Sequence, residues 1–238
     1  MSRVLVSQGV AGRALSGFRL LRVLALCGLA GPFLLILGQS AVLPSAVDYS
    51  LVRDSISSLA WTNLGWIQDC SFVITGLLME AFAAVLLLAV PRSRGFVPGV
   101  LAIACSGFGL ILTGAFRTDG QYVPATIDGA IHGFASNSMF LLLPLASLLI
   151  APSFRRGKSW NPIFVYSLST AVFALIWIGI YRFFLPRELP WFGLYERILA
   201  GNEFVWIEVV AIWVIRSRWI SLTTKNSSGV NEPLLPSA

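Results

Sequence analysis

The chain has 238 residues, of which 56% are hydrophobic and 12% charged, with a formal charge of +6, a mean hydropathy of +0.79 and an isoelectric point near 9.7. Soluble domains carry about a quarter charged residues, so this composition excludes an ordinary soluble fold and makes lipid the expected solvent. A basic excess also suits nucleic acid, but only when the charges gather on one surface, and here they are dispersed among short connectors.

A bilayer-spanning helix needs about 20 predominantly apolar residues. After a basic segment, residues 1–22 with Arg3, Arg13, Arg19 and Arg22, the first such run is Val23 to Leu43. It exceeds the apolar core of a signal peptide, about 7–15 residues, and Cys27 follows Leu26 rather than a small residue, so the run reads as a retained span. Five more follow, at Trp66 to Val90, Phe96 to Phe116, Ile131 to Ile150, Ile163 to Leu185 and Leu199 to Ile215. Barrel strands would alternate polar and apolar residues; these runs are apolar all round. The fold class is therefore all-α, a polytopic bundle of six transmembrane helices over residues 23–220, followed by a polar tail, 221–238, expected to be unstructured from Thr223 onward. Gly28, Gly31 and Gly38 in the first run and Gly107, Gly109 and Gly114 in the third are positions where small residues let helices approach closely. The two halves of the chain show no repeat of the kind many transporters carry.

Twelve of the seventeen basic residues fall before the first run, in the second-to-third and fourth-to-fifth connectors (Arg92, Arg94, Arg155, Arg156, Lys158), or after the sixth run (Arg216, Arg218, Lys225). The positive-inside rule places these segments, and both termini, in the cytoplasm of a cell-membrane protein. Ten of the eleven acids, all but Glu232, then lie outside or within helices. Trp61, Trp66, Tyr122, Trp191 and Tyr195 mark the outer interface, and Trp160 and Trp219 the inner one, as interfacial aromatics do. Cys27, Cys70 and Cys105 suggest no disulfide framework, and Asn226-Ser227-Ser228, which matches a glycosylation pattern, falls in the cytoplasmic tail.

The outer connectors hold the polar chemistry. Residues 44–65 include Tyr49, Arg53, Asp54, Ser55, Ser57 and Trp61, a mixture that suits a short interfacial helix. Arg117, Asp119 and Gly120 follow the third run, Asp128 and His132 open the fourth, and Glu196 and Arg197 precede the sixth. Arg53, Ser55, Ser57, Asp69, Arg117, Glu196 and Arg197 form a candidate ligand-binding set in which an arginine holds phosphate or carboxylate in bidentate fashion; a network tying loops to helix ends is the structural alternative. Asp128 and His132 stand four apart, where a carboxylate can orient an imidazole base; with Asp119 they make a candidate catalytic trio. A single histidine excludes a multi-histidine zinc site, and no metal or cofactor is expected. Glu80 lies three turns from Asp69, about 16 Å along one helix face. With Glu208 it is a candidate intramembrane proton relay, or a packing residue.

Ser55-Ile56-Ser57-Ser58-Leu59, then Gly65-Trp66-Ile67 leading to Phe72 and Gly76, Gly114-Ala115-Phe116 with Asp119, His132, and Gly193 with Glu196-Arg197 occur in an order that resembles the bacterial and archaeal membrane family called domain of unknown function 998. A more distant likeness is to the proteins grouped around Frag1, DRAM and Sfk1. The resemblance implies six helices and an extracytoplasmic polar cluster, and brings no activity with it. Three functions are open at this point: recognition of a lipid headgroup or small amphiphile in an outer-leaflet pocket, acid/base chemistry on a lipid-linked substrate, or proton-coupled transport. Membrane lipids are the expected partners, with no nucleic acid; the oligomeric state is left open.

Overall fold

The computed structural model describes residues 2–120, 124–155, 162–186 and 189–228. Tyr122, Arg156, Lys158, Trp160, Arg187 and the tail beyond Ser228, with Glu232, lie outside the described residues, as do the side chains of Arg3, Arg13, Arg19, Arg22, Arg218, Trp219 and Lys225. Among the described residues there are six α-helices, with short 3-10 turns between some of them: α1 (Ser2–Val42), α2 (Gly65–Ala89), α3 (Phe96–Ala115), α4 (Ile127–Ile150), α5 (Pro162–Phe184) and α6 (Phe192–Ser228). Each contains a stretch long and apolar enough to cross a bilayer, and the protein is an all-helical, multi-pass membrane protein.

Sequence-adjacent helices pack against each other, and α6 returns to α1 to close the ring. The connectors 43–64, 116–126 and 185–191 share one end of the bundle, the loop-rich end, and 90–95 and 151–161 share the other. Two small-residue seams set the helix spacing. Thr75 Oγ1 of α2 donates to the Gly31 carbonyl of α1 at 3.0 Å, and a Cβ on Gly38 of α1 would overlap Ser71 Oγ of α2. Any Cβ on Gly76 would overlap the Gly107 carbonyl oxygen of α3, so α2 and α3 touch backbone to backbone, as membrane helices do when association depends on packing. On the far side, Trp206 Nε1 of α6 donates to Ser167 Oγ of α5 at 2.9 Å and Asn202 Nδ2 to the Thr170 carbonyl at 3.2 Å.

Three expectations need revision. The fourth and sixth helices start at Ile127 and Phe192, earlier than the apolar runs, because their first turns carry the polar residues Asp128, Glu196 and Arg197. The tail does not begin at Thr223: α6 continues to Ser228, a stretch with no Gly or Pro to stop it before Gly229. The connector 44–65 does contain a short helix, a 3-10 turn over Ile56–Trp61, but it buries Ile56, Ser57, Leu59 and Ala60 in the head of the bundle instead of lying along its surface.

Gly76→Val forces α2 away from α3 and is expected to cost about 3 kcal/mol, whereas Gly179→Ala, whose Cβ meets nothing within 4 Å, is expected to be neutral or to gain up to about 1 kcal/mol from helix propensity. Thermal unfolding in detergent checks the pair; equal midpoints would mean that the α2–α3 contact does not set the packing.

Candidate functional site: a lipid-facing groove headed by an arginine

The polar residues of the loop-rich end form two clusters. In the first, the chain entering α6 is stitched to the connector 48–58. Helix starts leave N–H groups without partners; here Gly193 N donates to the Arg53 carbonyl at 3.2 Å and Leu194 N to the Val52 carbonyl at 3.0 Å. Glu196, buried, accepts from Ile56 N at 2.6 Å. Arg197 Nη1 donates to the carbonyls of Leu51 and Asp54, both at 2.9 Å, and of Gly193 at 3.0 Å. Its Nη2 donates to the Tyr49 hydroxyl, which in turn donates to the Ser55 carbonyl at 2.8 Å. A side chain at 193 would overlap the Asp54 carbonyl oxygen, so only glycine lets the two segments meet.

Around this stitch, Arg53 forks onto the Asp54 carboxylate at 2.8 and 2.9 Å and reaches the Asp48 carbonyl at 2.8 Å. That guanidinium holds the Asp54 carboxyl below the usual carboxylate range. Burial pushes the Tyr49 phenol up, which keeps it neutral and able to donate. Ser55 Oγ accepts from Ser58 N at 3.3 Å and so caps the 3-10 turn, with Ser57 Oγ 3.2 Å away.

The second cluster joins α2, α3 and α4. Asp69 pairs with Arg117 Nε at 2.9 Å. Asp119 accepts from Thr126 N at 3.1 Å and Thr126 Oγ1 at 2.6 Å, and Thr126 Oγ1 accepts from Gly129 N at 3.0 Å to cap α4. These bonds from Thr126 hold the Asp119 carboxyl below its ordinary value. His132 is buried, with Nδ1 lying 2.9 Å from the Phe116 carbonyl and 3.1 Å from that of Thr113. Both partners only accept, so Nδ1 carries the proton and the ring caps the end of α3. The expected Asp128–His132 pair is not what the structure shows: Asp128 is exposed in the first turn of α4, where a carboxylate complements the helix dipole. The clusters meet at a cavity of about 30 Å³ lined by Ser57 and Glu196 from one and Thr113, His132 and Ser136 from the other. That is space for a water or two and not for a headgroup.

A larger opening lies beside it. Between α1 and α6 runs a groove of about 230 Å³, walled by Leu35, Ile36, Ala200, Gly201, Phe204 and Val205, with Arg197 and Gln39 toward its head and Glu208 deeper. Ile36 and Val205 are exposed on the lipid-facing surface. Of the arginines in the candidate set, Arg53 and Arg117 are ion-paired, while Arg197 has no carboxylate within salt-bridge distance among the described residues. Two of its five donors, Nε–H and one N–H on Nη2, have no acceptor among the described residues. A cation with free donors therefore stands at the head of an apolar groove.

The proposed relay is divided. Glu80 packs against α3, where a Cβ on Gly107 would sit 2.9 Å from its Oε1, whereas Glu208 lines the α1–α6 groove. Two residues escaped the sequence reading. Gln68 and Glu203 are 0% and 1% exposed, and their side-chain N and O atoms have no hydrogen-bond partner among the described residues. Glu203 was accessible to reasoning: it follows Glu196 by seven residues, hence lies about 20° away on the same face and about 10.5 Å deeper.

Because the folded Asp119 carboxyl titrates below the ordinary value of about 3.9, its contribution is complete above that pH and is lost as pH falls through the folded value. Protection factors for hydrogen exchange at Gly129 and Ala130, each taken against the intrinsic rate at the same pH, are expected to fall as the pH drops to about 3 and below, and Asp119→Asn to flatten that dependence; identical profiles would remove Asp119 from the cap.

Residues 13–213 match the family model described as Protein of unknown function (DUF998). No curated protein and no solved structure matches the chain. The family match begins before the first span and ends in the last turns of the sixth, and on that extent this six-span membrane protein belongs to the DUF998 family.

Proposed function

We propose that this protein binds a membrane amphiphile in the α1–α6 groove, its chain against Leu35, Ile36, Gly201 and Val205 and its anionic headgroup on Arg197. The observation that carries the reading is the un-neutralised guanidinium of Arg197 at the head of an apolar, lipid-facing groove. Fixed by four acceptors on one side, it offers Nε–H and an Nη2 N–H in the fork that suits a phosphate or carboxylate. The positive-inside pattern supports a cell-membrane orientation with both termini cytoplasmic and the groove's head in the outer leaflet.

Other members of the expected ligand set have structural occupations in this reading. Glu196 anchors a backbone N–H, Asp69 and Arg117 neutralise each other, and Arg53, Ser55 and Ser57 shape the connector. Acid/base catalysis draws less support, since Asp119 and the His132 Nδ1 are committed to capping and Asp128 stands apart. A Glu80–Glu208 relay draws less as well, the two carboxyls lying on separate interfaces.

Gly201 lines the groove and a Cβ there meets nothing within 4 Å, so Gly201→Leu fills the groove without disturbing the helices. A displaced headgroup loses at least one hydrogen bond to a charged donor, about 1.5–3 kcal/mol, or about tenfold or more in retention. Native mass spectrometry of purified wild type and variant is expected to show that loss with unchanged thermal stability in lipid-free detergent. Equal lipid retention by Gly201→Leu would overturn the proposal.

A further inference from the structure

Next to the groove's head, the connector lines a second, open and partly polar pocket of about 400 Å³, with Asp48, Tyr49, Asp54, Ser58, Trp61 and Asn63 among its residues. The two openings share one partition. Arg197 lines the groove and its Cζ lies 5.7 Å from the centroid of the Tyr49 ring, while Tyr49 lines the pocket; the Asp54 carbonyl that Arg197 holds belongs to a second pocket residue. An occupant of the groove whose phosphate rests on Arg197 would have its next atoms beside the Arg197–Tyr49 contact, next to a pocket that Tyr49 also lines.

The pocket's chemistry is that of a cation host. Arg53 pairs with Asp54 and feels the Asp48 carboxylate only through space; that carboxylate has no salt-bridge partner among the described residues, so two carboxylates share one guanidinium at this wall. Ser58, Thr62 and Asn63 supply further oxygens, and Trp61 is 53% exposed, offering a ring face to a cation. A wall so rich in acceptors matches a group with several N–H donors better than a bulky quaternary ammonium, which has none. Resting on the groove reading above, we infer that the amphiphile is zwitterionic, with its phosphate on Arg197 and a primary ammonium in the Asp48–Trp61 pocket.

Asp48 has a positive φ of 61°, a conformation that Asn adopts as readily as Asp, so Asp48→Asn removes the charge and keeps the turn. The full-length protein, freed of lipid in detergent, is titrated with phosphatidylethanolamine, with phosphatidylglycerol of the same chains, which keeps the phosphate and lacks the ammonium, and with the matching diacylglycerol, which lacks both. Native mass spectrometry reads the bound fractions. Wild type is expected to prefer phosphatidylethanolamine over phosphatidylglycerol by about fivefold or more, and both over diacylglycerol. Asp48→Asn should erase the first preference and leave phosphatidylglycerol retention unchanged; Gly201→Leu should lose both phospholipids. Wild type that holds phosphatidylglycerol as well as phosphatidylethanolamine, with Gly201→Leu still losing both, would sink the ammonium pocket and spare the groove. Undiminished retention of both by Gly201→Leu would sink the two together.

Discussion

Backbone N–H and carbonyl groups that are buried where a membrane bundle excludes water must find partners in the protein, and unsatisfied ones cost several kcal/mol each. The structure answers this constraint at the junction of the 48–58 connector with α6. Arg197 gathers the carbonyls of Leu51 and Asp54, Glu196 takes the Ile56 N–H, and two orphan N–H groups of α6 pair with the carbonyls of Val52 and Arg53. This joint brings α6 back to α1 and closes the ring of helices. Charge-assisted bonds to backbone are stronger than neutral ones, which suits a joint that must hold a non-helical segment beside lipid.

The same joint creates the groove. Holding Arg197 by three carbonyls and a phenol fixes the guanidinium in place but consumes only part of its donor capacity, and among the described residues no carboxylate lies within salt-bridge distance of it. Glu196, the adjacent acid, is turned away to a backbone amide. Below the joint, between α1 and α6, Gly201 leaves the wall open and a groove of mostly apolar side chains runs there. Preorganised donors of this kind lose little entropy when a ligand arrives, which is the physical reason for placing the binding reading here instead of at the ion-paired Arg53 or Arg117. The second cluster, around Asp119 and His132, resolves into caps on α3 and α4. The small cavity between the clusters has Glu196 and His132 in its lining among mostly apolar side chains.

Six helices were readable from the chain because lipid demands long apolar runs, and those runs begin and end near the observed helices wherever the flanks are apolar too. The apolar runs start later than α4 and α6 because the first turns of both helices are polar and hydropathy counts polar letters as loop, although Asp128 and His132 are legible as opening the fourth helix. Arg197, Glu196 and His132 were visible as polar residues at helix ends. Their partners were not, since all three bind backbone groups, which no residue letter records; that is why His132 was matched to Asp128 when its ring instead holds the carbonyls of Thr113 and Phe116. The groove was hidden for a related reason: its opening depends on an absent side chain at Gly201 and on the angle between helices distant in sequence. Glu203 lay in plain view two turns after Glu196, outside a search that favoured Glu80 and Glu208.

The central claim is that lipid occupies the α1–α6 groove in preference to the rest of the apolar surface, which includes exposed Val172 and Ile176 on α5. Photo-crosslinking in membranes with a phospholipid bearing a diazirine along its acyl chain, followed by mapping of the adducts, tests it most directly. Adducts concentrated on Ile36, Gly201 and Val205 are the predicted result; adducts spread over α5 as densely as over the groove would contradict the account.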